Sequence, residues 1–454
     1  MLKIVFFPIL ATKNFVKKAK ECFSGKLFGK SIFKNLILMY ALININYYAI
    51  YLGEINYLLK RRFVSAKITL QAAKSLIKYF IELIKYGIKA TFPPYRITFI
   101  SYLTNKCNLL CQHCFFSDSI NKNVQQPSLG DIEKIAKNHY LYTKTNKLLA
   151  RSISQGFTGG EPFLRNDLLD ITLLYNREGV NHFQINTNGI LTDKIVNFSK
   201  ELLKKNIPFK LAISIDGLEE THNKIRNMPG AFQKTTKTIK ILREIGADVG
   251  IIMTINKLNY KEVQDVVSFF KNTFGIETGL QLIRGADQSN APAKFKDIAE
   301  PLETNIYITN DIIPEIRGIL YRTYLEKSVE EPLQVVEFAR KNTYLQCHLD
   351  TLESRKRLFS CKAGKSVGVV YQNLDVALCE FYKPIGNLRK VNFDLPLLWN
   401  SPLAQEQRDY VKKCFCTHDC FINVEYNVRF AQRLMSNLQE FLTNTHKNLN
   451  VSSE

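Results

Sequence analysis

From residue 94 onward the text alternates strand-like and helix-like segments six times over, and this alternation limits the fold more than any other feature. Runs rich in β-branched and aromatic residues occupy 96–104, 154–158, 182–187, 209–215, 248–255 and 280–283. Helical periodicity fills the gaps at 131–145, 166–178, 193–205, 231–245 and 260–274. The later strand centres fall about 30 to 40 residues apart, the spacing of βα units, which implies a parallel sheet with right-handed crossovers. Six units are too few to close an eight-stranded barrel, so the expected fold class is α/β, a partial (β/α)6 barrel. In such folds chemistry collects just after the C-terminal ends of the strands.

What precedes the barrel has a different character. The chain of 454 residues carries a net charge of +21, and its first hundred residues hold 17 Lys and Arg against three acids. Residues 35–53 are uncharged and approach the ~20 needed to cross a bilayer, but Asn44, Asn46, Tyr47, Tyr48 and Tyr51 dilute them. Lys67, Lys74, Lys78, Lys85 and Lys89 then fall on one helical stripe roughly 60° wide, with Leu76, Ile77, Phe80, Leu83 and Ile84 on the other side. Such a basic amphipathic helix suits an anionic membrane surface, and it equally suits a helical cap packed on the barrel. It fits nucleic acid poorly, because its apolar face needs burial, and no nucleic-acid partner is expected. A faint imitation of a secretion signal at 4–11 lacks a cleavage site. The expected location is cytoplasmic, with peripheral attachment to the inner face of the membrane left open. Pro93-Pro94 marks the boundary.

Ten cysteines are too few for a disulfide scaffold of this size, and their clustering points to metal or iron–sulfur sites in a reducing compartment. Directly after the first strand stands Cys107-Asn-Leu-Leu-Cys111-Gln-His-Cys114. Three thiolates at this spacing can hold a cubane cluster with one iron left open, or a zinc ion with His113 as fourth ligand. After the second strand comes Thr158-Gly159-Gly160-Glu161-Pro162, and after the third Thr187-Asn188-Gly189. After the fourth comes Ser214-Ile215-Asp216-Gly217, followed by His222 and Arg226.

Four such motifs after four successive strands, in this order, resemble the radical S-adenosylmethionine (radical SAM) superfamily over residues 95–290, and the zinc alternative falls with that resemblance. It implies that Cys107, Cys111 and Cys114 hold a [4Fe-4S] cluster whose open iron is chelated by S-adenosylmethionine. It further implies a cosubstrate pocket built from Gly159, Gly160, Glu161, Asn188, Ser214, Asp216 and Arg226. The glycines would allow a close backbone approach to the ligand, and Glu161 would meet the methionyl ammonium. No catalytic residue beyond these is assigned.

The C-terminal region resembles the SPASM or shorter twitch domains that carry auxiliary clusters in this superfamily. Cys361-Lys-Ala-Gly364 opens it, a short hairpin leads to Cys379-Glu380, and Cys414-Phe-Cys416-Thr-His418-Asp-Cys420 closes it. It departs from the family pattern in its compact closing run, and in Leu374, which stands where a glycine is usual. One auxiliary [4Fe-4S] cluster is implied, ligated by Cys361, Cys379 and two of Cys414, Cys416 and Cys420. Cys22 and Cys347 read as structural thiols and His418 as a supporting group.

The expected organisation is a basic helical region at 1–92, a core barrel at 93–290, a helical linker at 291–345 and an auxiliary-cluster domain at 346–454. The function implied is reductive cleavage of S-adenosylmethionine to a 5′-deoxyadenosyl radical that abstracts hydrogen from a substrate. That substrate is a peptide or protein side chain, a membrane lipid or a cofactor precursor, and flavodoxin or ferredoxin would supply the electron. The alternative is a non-enzymatic, membrane-associated iron–sulfur sensor.

Overall fold

The computed structural model describes residues 98–144, 154–284, 304–331 and 334–418, together with 422–423 and separate positions between 430 and 444. The lysine stripe, the uncharged run at 35–53, Cys22 and Cys420 lie outside the described residues. No helix among those described is long and apolar enough to cross a membrane.

All six expected strands form, in order, as β1 (Thr98–Tyr102), β2 (Ser154–Thr158), β3 (His182–Thr187), β4 (Phe209–Ser214), β5 (Val249–Ile255) and β6 (Thr278–Leu282), each parallel to the next. The helices between them are α1 (Leu129–Lys144), α2 (Leu168–Arg177), α3 (Thr192–Lys204), α4 (Glu219–Arg226), α5 (Ala231–Glu244) and α6 (Val263–Phe274). Local chemistry sets their ends. Ser128 and Asp131 exchange side-chain-to-backbone hydrogen bonds at the start of α1, both 3.1 Å, a capping box. Gly275 closes α6 at φ +65°, a left-handed conformation that glycine adopts at little cost.

Alternation along the strands divides their two faces. In β5, Val249, Ile251, Met253 and Ile255 are buried against the helices, while Ile252 and Thr254 point into the barrel and are only partly covered. The inward set on β3 is Gln184 and Asn186, and on β6 it includes Gln281. Parallel sheets usually bury both faces under apolar side chains, so a lumen lined by amides and hydroxyls marks a site rather than a core.

Two long helices follow, α7 (Ile313–Glu330) and α8 (Val335–Ser354), packed along each other. Helix α8 runs through position 345, where the linker was expected to end. The C-terminal region also differs from a separate module. Strand β7 (Ser360–Cys361) is followed by the hairpin of β8 (Val367–Val370) and β9 (Asp375–Ala377), then β10 (Gly386–Asn387). Strand β8 pairs in parallel with β1, so one nine-stranded sheet runs β10-β9-β8-β1-β2-β3-β4-β5-β6. The hairpin thus extends the barrel sheet. Short helices α9 (Leu395–Trp399) and α10 (Pro402–Val411) cover it, with Trp399 edge-on to Phe99 of β1 at 5.2 Å. Residues 422–423 form β11 (Ile422–Asn423), which pairs with β7 beside Cys361.

Leu374, in the turn of the hairpin, has φ +71° and is buried. The backbone takes a left-handed turn that glycine adopts more readily than leucine, at a cost on the order of 1–2 kcal/mol. Burial of the leucine in the cluster around Val376, Leu388 and Trp399 offsets that cost.

Candidate active site

The C-terminal ends of β1 to β6 surround a cavity of about 290 Å³. Cys107, Cys111, Cys114, Gly159, Gly160, Glu161, Asn188, Ser214 and Arg226 all line it, so one chamber collects residues spread over 120 positions of sequence. Asp216 is the exception among the expected pocket residues. It is fully buried beneath Arg226, with Oδ2 2.5 Å from that guanidinium. Burial pushes its carboxyl up, but Arg226, His113 and His222 outweigh this and hold it below the usual range. Asp216 therefore positions Arg226, and its backbone N–H donates to His222 Nδ1 at 3.1 Å. Arg226 in turn donates to the Cys111 sulfur at 3.6 Å.

Glu161 is 1% exposed and satisfied on both oxygens. Oε1 accepts from the Thr187 hydroxyl at 2.9 Å and the Phe163 backbone at 3.1 Å, while Oε2 accepts from the Asn188 backbone at 2.8 Å. Burial raises its pKa to about 7 against these bonds. Asn188 also reaches across the cavity mouth, its amide donating to Asn108 Oδ1 inside the cysteine loop at 2.8 Å.

The glycine pair, which lines the cavity, also permits a close approach within the chain. A Cβ on Gly159 would lie 2.3 Å from the Thr104 carbonyl oxygen, and one on Gly160 would lie 2.1 Å from that of Lys106. The backbone they approach is the chain's own, at the segment entering Cys107. Hydrogen bonds from Gly160 N to Thr104 O and from Glu161 N to Lys106 O, both 2.7 Å, lock the two loops together.

Burial pushes the Cys107 thiol up to about 12 and that of Cys114 to about 11, outweighing the pull of Arg226 and Arg284 on Cys114. Among the described residues no three His, Cys, Asp or Glu side chains converge on a single-ion site. A zinc ion would need ligand atoms about 2.0–2.3 Å from its centre; a polynuclear cluster spreads its thiolates further apart. His113, the fourth zinc ligand considered above, instead lies 3.7 Å from Asp216 Oδ2. Buried His113 Nδ1 and Arg226 Nε have no hydrogen-bond partner, leaving polar atoms at the cavity wall for a polar ligand to satisfy. The residues present fit the expected cluster and cosubstrate.

A second group of thiols gathers in the C-terminal region. Burial is the largest cause that raises the thiols of Cys361, Cys379, Cys414 and Cys416, and Cys414 lies close enough to raise the other three further. Backbone N–H groups of Ala363 and Phe381 point at the Cys361 and Cys379 sulfurs at 3.4 and 3.5 Å, the kind of contact that tunes a thiolate-bound cluster. Cys347 lies apart, buried on α8.

Between the two thiol groups stands a polar network of which only His418 was expected, as a supporting group. Glu380 accepts from the Tyr102 hydroxyl of β1 at 2.6 Å and pairs with His418 and with Arg284 at 3.4 Å. Although burial pushes the Glu380 carboxyl up, Arg284 and His418 hold it down at about 2. Arg284 lines the cavity and stacks over Phe115, next to Cys114, at 4.6 Å. Arg284 stands just beyond the end of β6, a position at which such folds collect chemistry.

Comparison with known proteins places these observations. Residues 101–270 match the model of the Radical SAM superfamily. An Fe-coproporphyrin III synthase of Methanosarcina barkeri is 30% identical over 167 residues, 36% of this chain and 37% of that protein. A cysteine-type anaerobic sulfatase-maturating enzyme of Clostridium novyi is 30% identical over 181 residues, 37% of this chain and 46% of that protein. The chain thus spans less than half the length of these curated relatives. In fold it is similar to the solved structure of native anSMEcpe with bound AdoMet, with a TM-score of 0.51 and 17% identity over 78% of this chain and all of that one.

Proposed function

Since the chain carries a radical SAM domain, we propose that it is a radical S-adenosylmethionine enzyme with one auxiliary cluster, acting on a peptide or protein side chain. The observation that carries this is the convergence of Cys107, Cys111, Cys114, Glu161, Asn188, Ser214 and Arg226 on one cavity. Cys107, Cys111 and Cys114 would hold the first [4Fe-4S] cluster, and Cys361, Cys379, Cys414 and Cys416 the second. When bound, the first cluster and S-adenosylmethionine together supply reductive cleavage to methionine and a 5′-deoxyadenosyl radical that takes hydrogen from the substrate.

The chain's own residues prepare that chemistry. Glu161, fixed by Thr187 and Asn188, offers a carboxylate to the methionyl ammonium. Arg226, held by Asp216, sets a positive charge beside Cys111 and so favours its thiolate. The lumen amides of Gln184, Asn186 and Gln281 suit a polar substrate such as a polypeptide better than a lipid chain. Peptide maturation also accords with the sulfatase-maturating relative. A reductant such as flavodoxin or ferredoxin would deliver the electron. The test is anaerobic incubation of the iron-reconstituted protein with dithionite and S-adenosylmethionine. It should release 5′-deoxyadenosine and methionine; an iron-loaded protein that releases neither is a sensor, not an enzyme.

Glu161 gives this reading a pH signature. Its carboxyl, raised to about 7 by burial, is protonated at lower pH and then offers an ammonium no charge. S-adenosylmethionine affinity should therefore fall as pH drops from 8 to 6. Glu161→Gln should weaken binding by about one to two decades, the loss of a charge-assisted contact of roughly 1.5–3 kcal/mol. The variant's binding should also be flat over that pH range. Equilibrium dialysis under argon measures both, and an unchanged pH profile in the variant would assign the dependence elsewhere.

A further inference from the structure

A second crevice, of about 180 Å³, opens between the loop after the cysteine motif and the β8–β9 hairpin, and it shares Phe115 as a wall with the first cavity. Its lining contains no Lys, Arg or His, although the chain carries a net charge of +21. Besides Glu380, which is paired with Arg284 and His418, two carboxylates line it. Asp375 accepts only from neutral amides, those of Asn373 at 2.6 Å and Asn387 at 2.8 Å. Asp118 stands exposed on the loop, and among the described residues neither carboxylate has a cationic partner. Gln372, 5% exposed, forms part of the wall, and its buried Oε1 accepts no hydrogen bond. Phe116 and Tyr371 stack beside it, centroids 6.1 Å apart and planes 4° from parallel.

Two carboxylates, an unsatisfied amide oxygen and two ring faces all favour a cation that carries N–H donors. Among the described residues no three His, Cys, Asp or Glu side chains converge on a single-ion site, and the aromatic walls suit an organic cation. We propose that this crevice binds the ammonium or guanidinium of a lysine or arginine side chain in the substrate polypeptide. The inference rests on the reading of the chain as a peptide-modifying enzyme and names the substrate's recognition element. Glu380 borders the crevice on one side and pairs with Arg284 of the first cavity on the other. A side chain anchored here would therefore place its near neighbours in sequence at the mouth of the reaction chamber.

The test uses full-length, cluster-reconstituted protein with S-adenosylmethionine and fluorescence anisotropy of N-terminally dye-labelled Gly-Lys-Gly and Gly-norleucine-Gly. The lysine peptide should bind at least ten-fold more tightly than its neutral analogue. Asp118→Asn and Asp375→Asn should each erase most of that difference while leaving substrate-free 5′-deoxyadenosine formation unchanged. Asp118 is exposed, so its variant tests the crevice even if Asp375→Asn disturbs the hairpin. Equal binding of the two peptides, or discrimination untouched in Asp118→Asn, overturns the proposal. Displacement of the lysine peptide by magnesium alone, or by 1,5-diaminopentane at equal potency, also overturns it, in favour of a metal or polyamine site. Absence of 5′-deoxyadenosine with lysine discrimination intact would instead overturn the enzymatic reading and spare the crevice.

Discussion

Replacing Cys107, Cys111 and Cys114 together with alanine is expected to lower the iron content of anaerobically reconstituted protein from about eight per chain to about four and to abolish 5′-deoxyadenosine formation. The expectation rests on the separation of the two thiol groups. The first three line the cavity at the end of β1, while Cys361, Cys379, Cys414 and Cys416 gather beyond Glu380. Removing the first set leaves the second and its N–H···S contacts in place, so the remaining iron should keep a cubane absorption spectrum. The complementary variant, Cys361→Ala with Cys379→Ala, should retain the other four irons and still cleave S-adenosylmethionine. Iron and acid-labile sulfide analysis decides it. A count of about four in the unaltered protein would remove the auxiliary cluster, and a count near zero in the first variant would show that the two sites assemble as one.

The barrel was legible in the sequence because each strand packs one apolar face under helices, which leaves a period-two pattern with the motifs at its ends. The same pattern, read for its other face, would have exposed Gln184, Asn186 and Gln281 as lumen residues. Helix α4 was invisible as a helix: Glu219–Arg226 is polar almost throughout and was read only as a motif. The parallel pairing of β8 with β1 joins residues nearly 270 positions apart, and no local signal records such a contact. For that reason the auxiliary segment read as a separate domain when its hairpin is an extension of the barrel sheet. Leu374 read as a departure from the family pattern, yet its backbone is the one a glycine would adopt. Asp216 illustrates the reverse. Its motif was recognised, but whether a carboxylate faces a ligand or supports an arginine depends on the side of the loop it takes.

Gly160→Ala should be the most damaging single substitution in the cavity, although it adds one carbon. The new Cβ would sit 2.1 Å from the Lys106 carbonyl oxygen and 2.6 Å from its carbon. Both are backbone atoms that cannot rotate aside, so the loop itself must move. Moving it breaks the bonds from Gly160 N to Thr104 O and from Glu161 N to Lys106 O, each worth about 0.5–1.5 kcal/mol net. It also draws Glu161 away from Thr187 and Asn188 while shifting the approach to Cys107, so cosubstrate and cluster sites fail together. S-adenosylmethionine affinity should fall more than a hundredfold, with far-ultraviolet circular dichroism unchanged, because the sheet itself is untouched. Gly156→Ala, four residues earlier on β2, is the matched control: its added Cβ meets nothing within 4 Å. That variant should bind and turn over within about two-fold of the parent. If both variants behave alike, the close packing of the two loops is not what holds Glu161 and the cysteine motif in register.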